Sequence, residues 1–283
     1  MNIFDQVKYL AVDMDGTLLD DNLEIMPKTK QAIIELQEKG IKLIIATGRA
    51  LEAVKKYIPE IKIKEYGGLI ISGNGAIVYD PVKDEVIFRD YISVEEAREI
   101  LERIKEFNIF PFYRQDGLMH MGNYKKFLED NGKNTELIHF DDIRARGGSF
   151  DIVEHDDLLK SINKPIMKLM AAGYPEYMWN NFDRINNKLE PVAHAMLTLS
   201  TVMEFSKNNV SKGHALESLG INPNHLMAFG DSLNDFHMLK FAKYGIAMEN
   251  AMQPLKDIAF AITSSNVDEG IYKALVKYGV VKE

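Results

Sequence analysis

The stretch YLAVDMDGTLLD, residues 9–20, runs a short apolar segment straight into two carboxylates spaced two apart, Asp13 and Asp15. Continuous rather than alternating apolarity marks a strand buried on both faces. Alternate residues of an extended chain point the same way, so Asp13 and Asp15 are expected side by side, with one pKa raised unless a charge compensates. A divalent cation is the simplest compensation.

Similar apolar runs recur at residues 41–46, 68–71, 226–229, 244–248 and 259–262. Between the first two strands, residues 27–39 place Thr29, Ala32, Ile33 and Leu36 on one helical face, and Gly40 supplies the stop. This is a βαβ unit, which feeds a parallel sheet. The middle of the chain mixes helix-like stretches at 94–107 and 175–189 with strand-like ones at 109–113, 117–121, 165–171 and 195–203. The expected fold is therefore α/β: a Rossmann-like parallel-sheet core, residues 1–82 and 206–283, with an inserted α+β domain at 83–205. Residues 131–161, with Gly147 and Gly148, carry no readable period.

At 283 residues, 46% of them hydrophobic, the chain can fill two cores. Its net charge of −8 and lack of Lys/Arg clusters argue against nucleic acid as a partner. Cysteine is absent, so thiolate nucleophiles and sulfur-ligated metals drop out, and any metal must sit on oxygen or imidazole. The beginning, MNIFDQVKY, shows no leader pattern, and no apolar run approaches the roughly 20 residues that span a bilayer. A cytoplasmic protein without a membrane partner is expected; the oligomeric state is not encoded in any readable pattern.

Four features fall at the ends of the expected core strands: DMDGTLLD, the Thr47-Gly48-Arg49 step, Ser211-Lys212-Gly213, and GDSLND at residues 230–235. Loops beyond the carboxyl ends of parallel strands share one edge, where ligands bind. By the family resemblance set out next, Asp13 is the candidate nucleophile for attack on a phosphoryl group. Asp231 would complete a metal site with Asp13, since Mg²⁺ takes one or two carboxylates and keeps several waters. Asp235 orients that shell rather than ligating. The Thr47 hydroxyl, the Gly48 and Met14 amides, the Lys212 ammonium and the Asn234 amide can bind phosphoryl oxygens. Four carboxylates in one desolvated place repel one another strongly, and a divalent ion with Lys212 offsets most of that.

In these motifs the chain resembles the haloacid dehalogenase-like phosphohydrolases, specifically the Cof-type, subclass IIB group with a C2-type α+β cap. Its patterns DxDGT, a strand-end Thr, a Lys and GDxxND occur here in order, as DMDGT, Thr47, Lys212 and GDSLND. The resemblance implies a Mg²⁺-dependent phosphatase forming an aspartyl-phosphate on Asp13. It makes Asp15 the acid/base, with its main-chain carbonyl helping to hold the metal, and it gives the inserted cap the choice of substrate. A small phosphorylated metabolite, by default a sugar phosphate, is the implied substrate. A phosphomutase is the enzymatic alternative, and a phospho-accepting receiver-like module the non-enzymatic one.

Several features have plainer readings. Asn74-Gly75 in SGNGA is expected to be a hairpin turn, although the resemblance puts that loop near the active site. Arg49 is divided between a substrate contact and an ion pair. The seven His residues lack metal-ligand spacing, His237 being the one near a motif. Phe110, Phe112 and Tyr113 are expected to bury against helices of the inserted domain, and the fourteen Met residues to fill cores. No GxxxxGK[ST] loop is present, and SGNGA lacks the third glycine of a dinucleotide fingerprint.

Overall fold

A computed structural model describes residues 4–131, 137–138 and 150–282; Gly147 and Gly148 lie outside the described residues. The chain divides into two compact units, Met1–Arg89 with Val210–Glu283, and Asp90–Asn209.

The first unit is built on an eight-stranded sheet, in which β1 (Tyr9–Val12) lies between β2 (Lys42–Ala46) and β12 (Leu226–Gly230). On the far side of β2 come β3 (Leu69–Ser72), β4 (Ile77–Asp80) and β5 (Glu85–Arg89), and beyond β12 come β13 (Tyr244–Ala247) and β14 (Ala261–Ile262). The six strands from β14 to β3 run parallel, whereas β4 pairs antiparallel with both β3 and β5. The sheet is thus mixed at one edge, where the hairpin expected at Asn74-Gly75 adds β4 and then β5 to the parallel core. Leu10, Ala11, Val12, Ile44, Ile45 and Phe229 are all buried, as expected of strands covered on both faces.

Helix α1 (Pro27–Glu38) starts with a proline at its first position and turns Thr29, Ala32, Ile33 and Leu36 into the core. Its free amides are held from far along the chain: Glu269 accepts from the Lys28 amide (2.9 Å), the Thr29 amide (2.8 Å) and the Thr29 hydroxyl (2.7 Å). Helix α2 spans Leu51–Lys55. The first core segment runs later than expected because β5 continues the sheet through Arg89 before the chain leaves it.

The second unit contains helix α3 (Val94–Ile104), β6 (Phe110–Gln115), β7 (Leu118–Met121), helix α4 (Tyr124–Asp130), β8 (Asp151–Glu154), helix α5 (Leu158–Ser161) and β9 (Leu169–Ala172). It continues with helix α6 (Pro175–Leu189), β10 (Ala193–Leu199) and β11 (Val202–Lys207). Its sheet has the order β10-β11-β9-β6-β7-β8, antiparallel except for β7 with β8. The single strand expected at 195–203 is instead a hairpin, with Leu199 opposite Val202 across Ser200-Thr201. No glycine or asparagine announces that turn; the packing of both strands fixes it. Phe110 and Phe112 bury on one face, Phe110 stacking near Tyr124 of α4 at 5.0 Å, while Tyr113 buries on the other face among residues of α3 and α6. That alternation is the strand's two-residue period.

Among the described residues, no helix is long and apolar enough to cross a membrane.

Candidate active site

Asp13 follows β1 directly, and its amide donates to the Phe229 carbonyl at 3.0 Å, so the ladder with β12 fixes where its side chain starts. The Leu18 amide then donates to the Asp13 carbonyl (3.2 Å) and the Leu19 amide to the Met14 carbonyl (2.9 Å), folding the chain back sharply. That reversal needs Gly16, which has φ 75° and lies so near Asp231 that a Cβ would fall 2.6 Å from its Oδ2. Thr47 ends β2, with its amide donating to the Ile71 carbonyl at 2.9 Å. Asp231 follows β12, and Lys212 opens helix α7 (Lys212–Ser218), capped by Ser211. Strands β1, β2 and β12 are parallel, so these loops emerge at one edge of the sheet.

Lys212 is the hub. Its Nζ lies 2.5 Å from Asp13 Oδ1 and 2.6 Å from Asp235 Oδ1, and its side chain is wholly buried. The second Asp235 oxygen accepts from the Asp231 amide (3.0 Å) and the Ser232 amide (3.1 Å). Asp235 is thereby committed to orienting Lys212 and the loop. Asp231 Oδ1 accepts from Thr17 Oγ1 at 3.0 Å, and its Oδ2 accepts from Ser232 Oγ at 2.9 Å.

Asp13, Asp231 and Asp235 each offer an oxygen within 4.8 Å of the others. Burial first, then Asp235 and Asp231, hold the Asp13 carboxyl well above the usual carboxylate range, with Lys212 opposing them. Burial and Asp235 also push Asp231 up. Burial pulls the Lys212 ammonium down, but Asp13 and Asp235 outweigh it and hold it above its ordinary value. Three close carboxylates against one ammonium leave an excess of negative charge in a desolvated place. Hard oxygen donors with such an excess fit a divalent cation such as Mg²⁺. Asp235 is wholly buried and committed to the Lys212 ammonium and two backbone amides, whereas Asp231 accepts only from two hydroxyls that can rotate away, so Asp13 and Asp231 are the carboxylates with the capacity to hold it.

Asp15 has a partner that the two-residue spacing did not announce. It turns to Arg49, accepting from Nε at 2.8 Å on Oδ2 and from Nη2 at 2.6 Å on Oδ1. Of the two readings for Arg49, the ion pair is present and bidentate, while its Nη1 is buried without a hydrogen-bond partner. Thr47 is buried, and its Oγ1 accepts from the Arg49 amide at 3.1 Å. The Asn234 amide group, expected at phosphoryl oxygens, donates to Asn74 Oδ1 at 2.9 Å. His237 is drawn to none of these groups; its ring lies 6.1 Å from that of His214, and burial and the nearby His214 and Lys240 lower its pKa.

Sequence reasoning missed Thr17, Ser232 and Asn250. The Asn250 side chain donates to the Gly16 carbonyl at 2.8 Å, and Asn266 donates to the Leu19 carbonyl at 2.9 Å. Thr17 is the fixed last residue of DxDGT, to which the sequence reading gave no role, and Ser232 is a variable position of GDxxND, where a hydroxyl carries little signal. Asn250 and Asn266 lie in no motif at all.

Comparison with protein families matches residues 10–275 to the haloacid dehalogenase-like hydrolases. The chain belongs to that family, and it is a hydrolase of phosphoric monoesters. It is 27% identical over 273 residues to a 5-amino-6-(5-phospho-D-ribitylamino)uracil phosphatase of Bacillus subtilis, covering 95% of this chain and 94% of that one. It is also 27% identical over 249 residues to an HMP-PP phosphatase of Cronobacter sakazakii, covering 87% and 85%. In fold it is similar to a subclass IIB sugar phosphatase of the same superfamily, with TM-score 0.76, 22% identity, and coverage of 97% and 100%.

Proposed function

We propose that this chain is a Mg²⁺-dependent cytoplasmic phosphatase that hydrolyses a small phosphorylated metabolite through an aspartyl-phosphate on Asp13. The observation that carries the reading is the buried Asp13–Lys212–Asp235 chain beside Asp231 at the strand ends. An Asp13 oxygen attacks phosphorus, the bond from phosphorus to the leaving oxygen breaks, and Asp15 gives that oxygen a proton. Asp15 then takes a proton from a water that attacks the acyl phosphate, releasing phosphate and restoring the Asp13 carboxylate. Lys212 meets the charge on the phosphoryl oxygens, with the Thr47 hydroxyl and the Met14 and Gly48 amides as further donors. A divalent cation held by Asp13, Asp231 and the Asp15 main-chain carbonyl would neutralise phosphoryl charge when bound.

The inserted unit, with its own sheet and two buried faces, is the part proposed to choose the leaving group. The relatives are named as a sugar phosphatase, an HMP-PP phosphatase and a 5-amino-6-(5-phospho-D-ribitylamino)uracil phosphatase, and a sugar phosphate or related phosphomonoester is the class proposed here.

The test is phosphate release from a panel of phosphorylated metabolites, with Mg²⁺ and with excess chelator, for the parent and Asp13→Asn. Release by the parent that stops in chelator, returns with Mg²⁺ and is absent in the folded variant supports the reading. Full activity in chelator contradicts the metal, and activity in Asp13→Asn contradicts the nucleophile. Isomerisation of a sugar phosphate without net phosphate release would favour a phosphomutase.

A further inference from the structure

The turn that joins β3 to β4 is the expected hairpin, with Asn74 and Gly75 both at positive φ. Ser72 pairs with Ile77, and Gly73–Gly75 form a single tight helical turn between them. Asn74, at its centre, has φ 59° and ψ 25° and is only 7% exposed. A side chain buried at the tip of a hairpin calls for a reason, because loop tips ordinarily face water.

Its contacts supply one. The Asn74 amide donates to the Thr47 carbonyl at 3.0 Å, and the Gly73 amide donates to the Arg49 carbonyl at 3.0 Å. Asn74 Oδ1 accepts from Asn234 Nδ2 at 2.9 Å. The same oxygen lies against Gly48, where a Cβ would fall 2.8 Å from it. One residue on, Gly75 (φ 110°) packs on the chain entering α7, so that a Cβ would lie 2.3 Å from the Ser211 carbonyl oxygen and 3.2 Å from the Lys212 amide. One turn therefore touches the loops of Thr47, Lys212 and Asn234, which are far apart in sequence. Asn234 Oδ1 is buried without a partner, so the bond to Asn74 is what orients that amide group.

The geometry points to Asn74 as a positioning residue that fixes the spacing of the phosphoryl-binding loops, a role that rests on the phosphatase reading. Asparagine suits the place on two counts. It tolerates the left-handed backbone better than most side chains, and it presents a neutral acceptor to Asn234. Glycine would keep the backbone and lose the acceptor. Aspartate would keep the acceptor but set a negative charge beside the subsite for a dianion.

The two variants therefore separate kcat from KM. With p-nitrophenyl phosphate and Mg²⁺, Asn74→Gly is expected to lower kcat and to weaken inhibition by orthovanadate, each by about tenfold, the scale of a small misplacement of reacting groups. Asn74→Asp is expected to hold kcat within about threefold of the parent while KM rises. Asn234→Ala is expected to weaken orthovanadate as Asn74→Gly does, and the double variant Asn74→Gly/Asn234→Ala to be no worse than either single one, as partners in one contact are.

An Asn74→Gly protein within twofold of the parent in both readings overturns the proposal, as do losses that multiply in the double variant. Should Asn74→Gly not fold, Asn74→Asp decides alone: kcat kept with a raised KM upholds the role, and an unchanged KM or a fall in kcat of about tenfold or more overturns it. A parent that releases phosphate from no ester overturns the enzymatic reading itself and is recognised before any variant is compared.

Discussion

Lys212 and Asp235 hold each other through a 2.6 Å ion pair in which neither side chain reaches solvent. The pair is tied to the strand-end loop by the two amides on the other Asp235 oxygen, so the ammonium is aimed before any substrate arrives.

Removing that ammonium should cost both chemistry and stability. Lys212→Ala is expected to lower kcat/KM by about 10²–10³-fold, the scale of losing one preorganised electrostatic contact. It also leaves Asp13 and Asp235 buried without their cation, which costs about 3–5 kcal/mol. Steady-state kinetics with denaturant unfolding checks both; a loss within assay error would place Lys212 outside the chemistry.

Gly16→Ala tests how closely the first and fourth loops approach. The backbone there is left-handed, which costs a non-glycine residue roughly 1–2 kcal/mol. The added methyl would also meet Asp231 Oδ2 at 2.6 Å. Displacement of Asp231 should lower kcat on the order of a hundredfold and weaken Mg²⁺ binding, measured as the Mg²⁺ concentration for half-maximal rate. Parent-like values in both would show that the two loops can separate without consequence.

Glu269→Ala isolates stability from catalysis. Glu269 caps α1 from 240 residues away through three hydrogen bonds and touches none of the motif loops in doing so. The expected cost is about 1–2 kcal/mol, seen as a lower denaturant midpoint with kcat unchanged. A large fall in kcat would reveal a link from α1 to the site.

Tyr79 offers a pH-dependent test. Its hydroxyl donates to Asp84, and that bond, with burial adding to it, pushes the phenol up to about 12 from its ordinary 10.0. A raised folded pKa contributes stability that is whole below the unfolded value, here 10.0, and is lost as pH climbs through about 12. Tyr79→Phe should therefore be less stable than the parent near neutrality by about 0.5–1.5 kcal/mol, with the difference closing over that alkaline window. Parallel stability curves for the two proteins would refute the assignment.

Some of this was plain in the chain. Unbroken apolar runs announce β1 and β12 because strands covered on both faces cannot spare polar positions. Helix α1 is legible because its buried residues recur at the helical period and a proline opens it. The hairpin of β10 and β11 was not legible, since Leu199, Ser200, Thr201 and Val202 all suit a continuing strand. Nor was the partner of Asp15. Two-residue spacing says which way a side chain leaves an extended backbone, but the backbone bends at Gly16, and Arg49 is 34 positions away.

By itself the sequence determined the parallel core strands β1, β2, β3, β12, β13 and β14, the chemical kinds of side chain at their ends and the absence of any thiol. Those properties are local: they depend on periodicity and on residue type. Tertiary structure alone decided that Asp235 serves Lys212, that Asp15 answers to Arg49, and that Asn74 sits inside rather than at a loop tip. Each depends on which loops a parallel sheet sets side by side, and hydrogen bonds a few ångströms long cannot be read from residues tens or hundreds of positions apart.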